Sequence, residues 1–265
     1  MSRFLFWSDL HTEFSTFTLP DVHDIDAVLL GGDTGVGDAH LDMLYTIWKT
    51  YQVPVVSIRG NHEFYNCIWQ DQIEKDNIRL AQWHEAGIPI HVLDPGFIDI
   101  AGTRIIGATL WTDMMVMGEG GMAEAMVGRA LNDYRIIGWR EGQKVRKLTT
   151  KDTRIKHMED KNFIFDTLDK PFDGPKLVMT HHIPTPLCVD KAYKGSLINA
   201  GFASDLTYQM MGSDADQWFY GHTHTSNDTE LSRDDGKILR VRSNIRGYPH
   251  EWSGGTFDPN FVIET

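Results

Sequence analysis

Five short apolar runs in this chain end in the same kind of chemistry, and that recurrence limits the fold more than any other feature. "FLFWS" runs into Asp9-Leu10-His11 and "AVLLGG" into Asp33. "VVSIRG" runs into Asn61-His62-Glu63, "KLVMT" into His181-His182, and "WFYG" into His222-Thr223-His224. Each run is rich in β-branched or aromatic residues and stops at glycine or polar residues, which is how a buried strand reads. Between the second and third lies "DAHLDMLYTIWKTY", with Leu41, Leu44, Tyr45 and Trp48 at helical spacing. Residues 68–86 carry a second helical pattern. Strand–helix alternation predicts βαβ units, with functional side chains on the loops beyond the strand C-termini.

The rest of the chain is less regular. "IPIHVLD", "FIDIAG" and "TRIIGATLWTD" predict successive short strands. "EGGMAEAMVGRALNDYRII" predicts a Gly-rich turn that becomes a helix. "LTTKDTRIKHMEDKNFIFDTLDK" predicts a long amphipathic helix with a Thr N-cap. "TELSRDDGKILRVRS" predicts a hairpin centred on Asp-Gly. No repeat, low-complexity tract or linker divides the chain, so residues 1–265 are expected to form one domain. The Met- and Gly-rich stretch 114–140 is either a cap over a site or a surface excursion with a packed helix, the second being preferred slightly.

Composition narrows the function. Hydrophobic residues make up 41%, enough for a substantial core. The formal net charge of -12 argues against stable binding of duplex nucleic acid, where a basic footprint supplies most of the affinity. It does not argue against a metal-bearing site, because bound dications invert the local charge. Two cysteines, Cys67 and Cys188, are too few for a disulfide framework and suggest a reducing compartment. The N-terminus lacks the apolar core of a signal peptide, and no run reaches transmembrane length. A cytoplasmic protein without membrane partners is expected.

Carboxylate, imidazole and amide oxygen are the ligand types that hold divalent transition metals. In an extended segment residues i and i+2 face the same side, so Asp9 with His11, and His222 with His224, each offer two ligands to one region. Any one of these histidines alone is more often an ordinary satisfied polar residue. Five coincidences at five strand ends are hard to ascribe to loop chemistry. Seven ligands exceed one tetrahedral site and suit two ions sharing a carboxylate. Asp33, alone after Gly-Gly, is the natural bridge. Two ions about 3.5–4 Å apart clamp an in-line displacement at phosphorus.

The set "SDLH", "GGD", "RGNHEFY", "THH" and "GHTH" resembles the calcineurin-like metallophosphoesterase superfamily, whose pattern is D-x-H, G-D, G-N-H-[DE], H and G-H-x-H in that order. The blocks span residues 9 to 224, and the surrounding text resembles a bacterial or phage-type branch. The resemblance implies an α/β fold, a four-layer α/β/β/α sandwich with two facing mixed β-sheets. It implies that Asp9, His11 and His224 bind a first metal, that Asn61, His181 and His222 bind a second, and that Asp33 bridges both. A water or hydroxide between the ions would attack phosphorus. His62 would contact the phosphate and protonate the leaving oxygen, a role its near-neutral pKa suits. Of the adjacent pair His181-His182, only His181 is expected to be a ligand.

The expected function is that of a dinuclear-metal phosphodiesterase acting on a small nucleotide-like phosphodiester. A phosphomonoesterase or nucleotide pyrophosphatase with the same centre is the alternative, followed by a nuclease or a non-catalytic scaffold. Mn²⁺ is favoured among Mn, Fe, Zn, Co and Ni, all of which suit N/O ligands. Asp33 is followed by "TGVGDAH" with no arginine, which departs from the protein-phosphatase pattern. Glu63 is expected either to orient His62 or to serve as a helix-start carboxylate. Arg59 and Arg246 are candidates for phosphate neutralisation, with a carboxylate partner as the other reading for Arg59. Asn199 and Tyr248 are read as structural first and as substrate contacts second.

Overall fold

The computed structural model describes residues 1–118, 121–233, 235–254 and 256–265, with residues 252–254 described by their backbone alone. The chain begins with β1 (Arg3–Trp7), β2 (Ala27–Leu30), helix α1 (Asp38–Tyr51), β3 (Val55–Ser57), helix α2 (Trp69–Glu85) and β4 (Ile90–Val92). Strands β5 (Gly96–Ile100) and β6 (Thr103–Ala108) follow. Then come α3 (Gly121–Ala130), α4 (Asp133–Ile136), β7 (Gly138–Glu141), β8 (Lys144–Lys147) and α5 (Thr150–Leu168). The last part holds β9 (Lys176–Thr180), α6 (Thr207–Met211), β10 (Gln217–Phe219), β11 (Asp228–Ser232), β12 (Ile238–Arg242) and β13 (Val262–Glu264).

Two mixed sheets result, ordered β13-β1-β2-β3-β4 and β11-β12-β10-β9-β6-β5. In the first, β1 to β4 are parallel and β13 runs antiparallel to β1. In the second, β6, β9, β10 and β12 are parallel, with antiparallel β5 and β11 at the edges.

Side-chain alternation builds the four layers. Phe4 and Phe6 of β1, with Ala27 and Leu29 of β2, face the other sheet. There they meet Ile105, Leu177, Met179 and Phe219. The Phe6 and Phe219 rings lie 4.8 Å apart across that interface. The alternate residues Leu5, Trp7, Val28 and Leu30 face outward and pack with Leu41, Leu44 and Ile47 of α1 and Leu80 of α2. On the far side, Ile106, Val178 and Trp218 pack with Ile164 and Leu168 of α5. Helix, sheet, sheet and helix layers follow from a period of two in the strands and 3.6 in the helices. Each buried large apolar side chain contributes about 1.5–3 kcal/mol, so the facing Phe-rich strands hold the sheets together.

Local signals account for two of the boundaries. The α5 start is a capping box between Thr149 and Asp152. The β11–β12 hairpin pairs Leu231 with Leu239 and Ser232 with Ile238. Gly236 takes φ +81° in its turn. Asp234 lies outside the described residues, as do Glu119 and Gly120 of the expected Gly-rich turn. One expected helix divides in two: the chain breaks at Leu131–Asn132 between α3 and α4. The β7–β8 hairpin and β13 have no counterpart in the sequence reading. The hairpin strands GWRE and KVRK are charged and largely exposed, so they lack a buried-strand pattern. Among the described residues no helix is long and apolar enough to cross a membrane.

Candidate metal centre

The C-terminal ends of β1, β2 and β3 in one sheet and of β9 and β10 in the other meet at one rim. Backbone bonds tie them together. Asp9 N–H donates to Gly32 O at 3.0 Å and His11 N–H to Asp33 O at 2.9 Å. Gly221 N–H donates to His181 O at 2.9 Å. The sheets are also cross-linked by side chains: Asp9 accepts the His222 N–H at 2.9 Å, and His181 Nδ1 bonds Gly31 O at 2.9 Å. Glycine precedes the ligand residues because the approach is close. A Cβ on Gly60 would collide with the Asp33 carboxylate and the His181 ring, and one on Gly221 with Ser8 and Asp9.

All seven sequence-selected residues converge there. Asp9, His11 and His224 form one group, and Asp33, His181 and His222 another. Asp33 Oδ2 lies between them, 3.8 Å from His11 Nε2 and 3.4 Å from His181 Nε2. Asn61 Oδ1 is 3.2 Å from His181 Nε2. His62 is also beside Asp33, with its Nε2 4.0 Å from Oδ2 and its backbone N–H donating to Oδ1 at 2.9 Å.

The expected route to this convergence is wrong in one respect. Asp9, His11, Asp33, His222 and His224 are not in extended backbone. Their φ values are 54°, 46°, 52°, 73° and 52°, all left-handed. Each chain reverses just past its strand, which turns the side chain into the gap between the sheets. Asp and His tolerate this region better than most residues, yet it costs about 1–3 kcal/mol per residue. Strain of that kind collects at functional sites.

The imidazoles are pre-set to present bare nitrogens. A carbonyl can only accept, so His181 Nδ1 carries the hydrogen bonded to Gly31 O, and its Nε2 faces the centre. His11 Nδ1 bonds Glu13 at 3.1 Å and His224 Nδ1 bonds Glu251 at 2.8 Å, which fixes the same tautomer in both. The His11 and His224 Nε2 atoms then face each other at 3.0 Å. His222 Nε2 is buried without any hydrogen-bond partner. Inward lone pairs, an orphaned nitrogen and the Asp33 carboxylate fit divalent cations of the N/O-binding type.

Where no cation competes, Asp33 draws a proton onto the inward nitrogen of His181, and a metal ion would displace that proton. Burial opposes the Asp33 charge, but His181 and His62 outweigh it and hold its carboxyl well below the usual range. Burial likewise opposes protonation of His181, and Asp33 overrides it, raising its pKa to about 10. His182 is different. Burial and the neighbouring His181 push it down to about 3, it bonds Thr109 O, and its ring packs on Trp111. It belongs to the core.

For several residues the structure separates the alternative readings. Glu63 does not orient His62. It accepts the backbone N–H groups of Asp33, Thr34 and Gly60, which joins the β2 and β3 loops. Glu13 takes the orienting role, with its Oε1 2.8 Å from His62 Nδ1. Burial would raise the Glu13 carboxyl, and the hydrogen bonds from His11 and His62 bring it to about 2. Arg59 does not reach a substrate, for it is buried against Asp76 and Asp94. Arg246 binds the carbonyls of Leu10 and Thr16. Tyr248 enters the site, its hydroxyl 3.1 Å from His62 Nε2. Asn199 donates to Tyr193 O and braces a turn.

Sequence reasoning missed Asp133, Glu13 and Glu251. Asp133 accepts from Asn61 Nδ2 at 2.8 Å and so aims Asn61 Oδ1 inward. Its only signal was its place inside "LNDYR". Glu13 lies two residues past His11, just beyond the quoted "SDLH"; Glu251 has no local signal at all.

The centre opens into a cavity of about 380 Å³ bordered by His62, Tyr65, Phe202, Tyr248 and residues 130–133. The stretch 114–140 thus contributes part of its wall.

The sequence model described as calcineurin-like phosphoesterase matches residues 2–226. The uncharacterized protein L509 of Acanthamoeba polyphaga mimivirus is 25% identical over 253 residues, covering 92% of this chain and 85% of that protein. Among solved structures, the phosphopantetheinyl hydrolase of Mycobacterium tuberculosis has the same fold, with a TM-score of 0.71 at 14% identity over 100% of this chain and 95% of that one. A dimetal phosphatase from Danio rerio gives a TM-score of 0.49 at 14% identity, covering 91% of this chain and 86% of the other. With the family match running from β1 through the paired histidines of the last strand end, the chain belongs to the calcineurin-like phosphoesterase family.

Proposed function

We propose that the protein is a dinuclear-metal phosphodiesterase for a small, nucleotide-like ester. Family membership supplies the coarser statement, a metal-dependent phosphoester hydrolase with a divalent metal centre. In this reading Asp9, His11 and His224 hold one ion, Asn61, His181 and His222 hold the other, and Asp33 is shared. The observation that carries it is the set of inward Nε2 atoms, fixed by Gly31, Glu13 and Glu251, beside Asp33 Oδ2 and Asp9 Oδ1. When bound, the ions supply Lewis-acid polarisation and a nucleophile at neutral pH. Mn²⁺ is the proposed ion, and the two unpaired cysteines fit a reducing, cytoplasmic setting.

The chain's own groups divide the remaining work. Burial disfavours the charged form of His62, but Asp33 and Glu13 raise its pKa above the ordinary value. Its Nε2 borders the cavity, so it can hold a proton for a leaving oxygen. Glu13 and Tyr248 fix the ring on either side. Asp133 positions the Asn61 amide. Preference for a diester rests on charge. No Lys or Arg is among the described residues lining the cavity, so the metal site and protonated His62 must offset the phosphate charge, and a diester carries less of it than a monoester dianion.

With Mn²⁺ present, bis(p-nitrophenyl) phosphate should be hydrolysed with higher kcat/KM than p-nitrophenyl phosphate. Activity confined to the monoester rejects the diesterase reading. A panel of cyclic nucleotides and nucleotide diesters then tests the nucleotide part. His62→Ala should lower kcat by about 10²–10⁴-fold. The loss should be largest on esters with poor leaving groups, with metal content retained. An equal loss on good and poor leaving groups contradicts proton donation by His62.

A further inference from the structure

The cavity has two unlike walls. One is polar, built by His224, Tyr248 and Glu251. The other begins at Phe202, whose ring lies 4.6 Å from the His222 ring, and continues outward through Leu131, Ile183, Val189 and Ile198. Three segments make this apolar wall, and they are packed firmly. A Cβ on Gly201 would collide with Leu131 and Val127, and Ile183 N–H donates to Phe202 O at 3.0 Å. The wall is therefore a built surface beside the candidate second-metal site.

Its electrostatics are one-sided. The described lining holds no Lys or Arg, while Asp133, Asp190 and Glu251 add carboxylates beyond Asp33. Lys191 and Lys194, next to the lining residues Asp190 and Tyr193, are exposed and are not themselves among the lining. A second phosphate or a carboxylate on the substrate would enter without a cation to receive it, among like charges. Hydrocarbon would gain from leaving water.

We infer that the wall of Leu131, Ile183, Val189, Ile198 and Phe202 binds the organic group on phosphorus and selects substrates with a single phosphoryl group and an uncharged aromatic or branched aliphatic arm. Diphosphates and arms bearing an acid are rejected. The inference rests on the phosphoesterase reading of the metal centre. It goes beyond that reading by naming the arm and by disfavouring pyrophosphate substrates.

Binding to the Mn²⁺-loaded protein tests it without turnover. By calorimetry, phenylphosphonate should bind about tenfold more tightly than methylphosphonate, as expected when a phenyl ring replaces a methyl group in an apolar site. 4-Phosphonobenzoate, which adds one carboxylate, should bind about tenfold more weakly than phenylphosphonate. Ile198→Lys should reverse the order of those two aromatic probes. Val189→Lys is the second variant, and both positions are half-buried, so a lysine can reach solvent. A lost side-chain contact alone would weaken both probes together and would not reverse them. Equal affinity for all three probes on the wild-type protein, or no binding of any, overturns the inference, as does an unreversed order in both variants. Hydrolysis of bis(p-nitrophenyl) phosphate by the same preparation reads the function separately, so a failed subsite and a failed catalytic assignment give different results.

Discussion

Asp33→Asn should lower phosphodiester hydrolysis by at least about a thousandfold and leave the fold intact. The effect is large because Asp33 Oδ2 faces both histidine groups at once. An amide there is neutral, and its NH₂ would direct hydrogens at ring nitrogens or at a cation. Metal ions supply several kcal/mol of transition-state stabilisation, and each 1.4 kcal/mol is about tenfold in rate. The fold should survive because an asparagine oxygen can keep the bond that Oδ1 accepts from His62 N–H. Kinetics with metal analysis and circular dichroism on the same sample check this. Near-normal turnover would show that Asp33 is not shared between ions, and an unfolded variant would show that its main task is structural.

Glu63→Ala should be the most damaging substitution for stability near the site. Its carboxylate is buried and accepts three backbone N–H groups from two different loops, those of Asp33, Thr34 and Gly60. Truncation leaves those donors unpaired in a dry interior, at about 1–3 kcal/mol each. A total loss near about 4 kcal/mol is expected, allowing for partial relaxation. Glu63→Gln keeps one acceptor and should cost less than alanine. Denaturant unfolding of both variants checks the order. A loss under about 1 kcal/mol for alanine would mean that water or backbone movement satisfies the three donors.

These two carboxylates show what the sequence made legible. Asp33 was readable because it follows a strand and a Gly-Gly pair, and its chemistry repeats at four other strand ends. Glu63 was noticed with two readings, and its place in the first turn of the short His62–Phe64 helix fits the second of them, a helix-start carboxylate. Adjacency to His62 suggested a side-chain partner, whereas the 3-10 turn at His62–Phe64 directs its carboxylate toward the β2 loop. The true partner, Glu13, shares its Oε1 between His11 and His62, a relation that exists only after β1 and β3 lie in one sheet. Asp133 and Glu251 likewise depend on tertiary approach, reaching Asn61 and His224 across 72 and 27 residues.

The architecture was legible for a simpler reason. Phe4, Phe6, Leu5 and Trp7 alternate between two apolar environments, so the strand must be covered on both faces. The same alternation failed for the ligands. His222 and His224 were expected on one extended face, but both adopt left-handed backbone; they join different groups, as the family resemblance implied. Periodicity holds while the ladder holds, and function starts where the ladder stops. β13 was missed because it is a short edge strand in which only Ile263 is fully buried.

A pair of ions organised by Asp33 can be counted by titration. Chelator-stripped protein, at a concentration well above its metal affinity, receives Mn²⁺ while hydrolysis of bis(p-nitrophenyl) phosphate is followed. No turnover is expected at the start, and a plateau is expected at two equivalents per chain, with two ions bound per chain by mass spectrometry. Full activity in the stripped protein, or a plateau at a single equivalent, would contradict it.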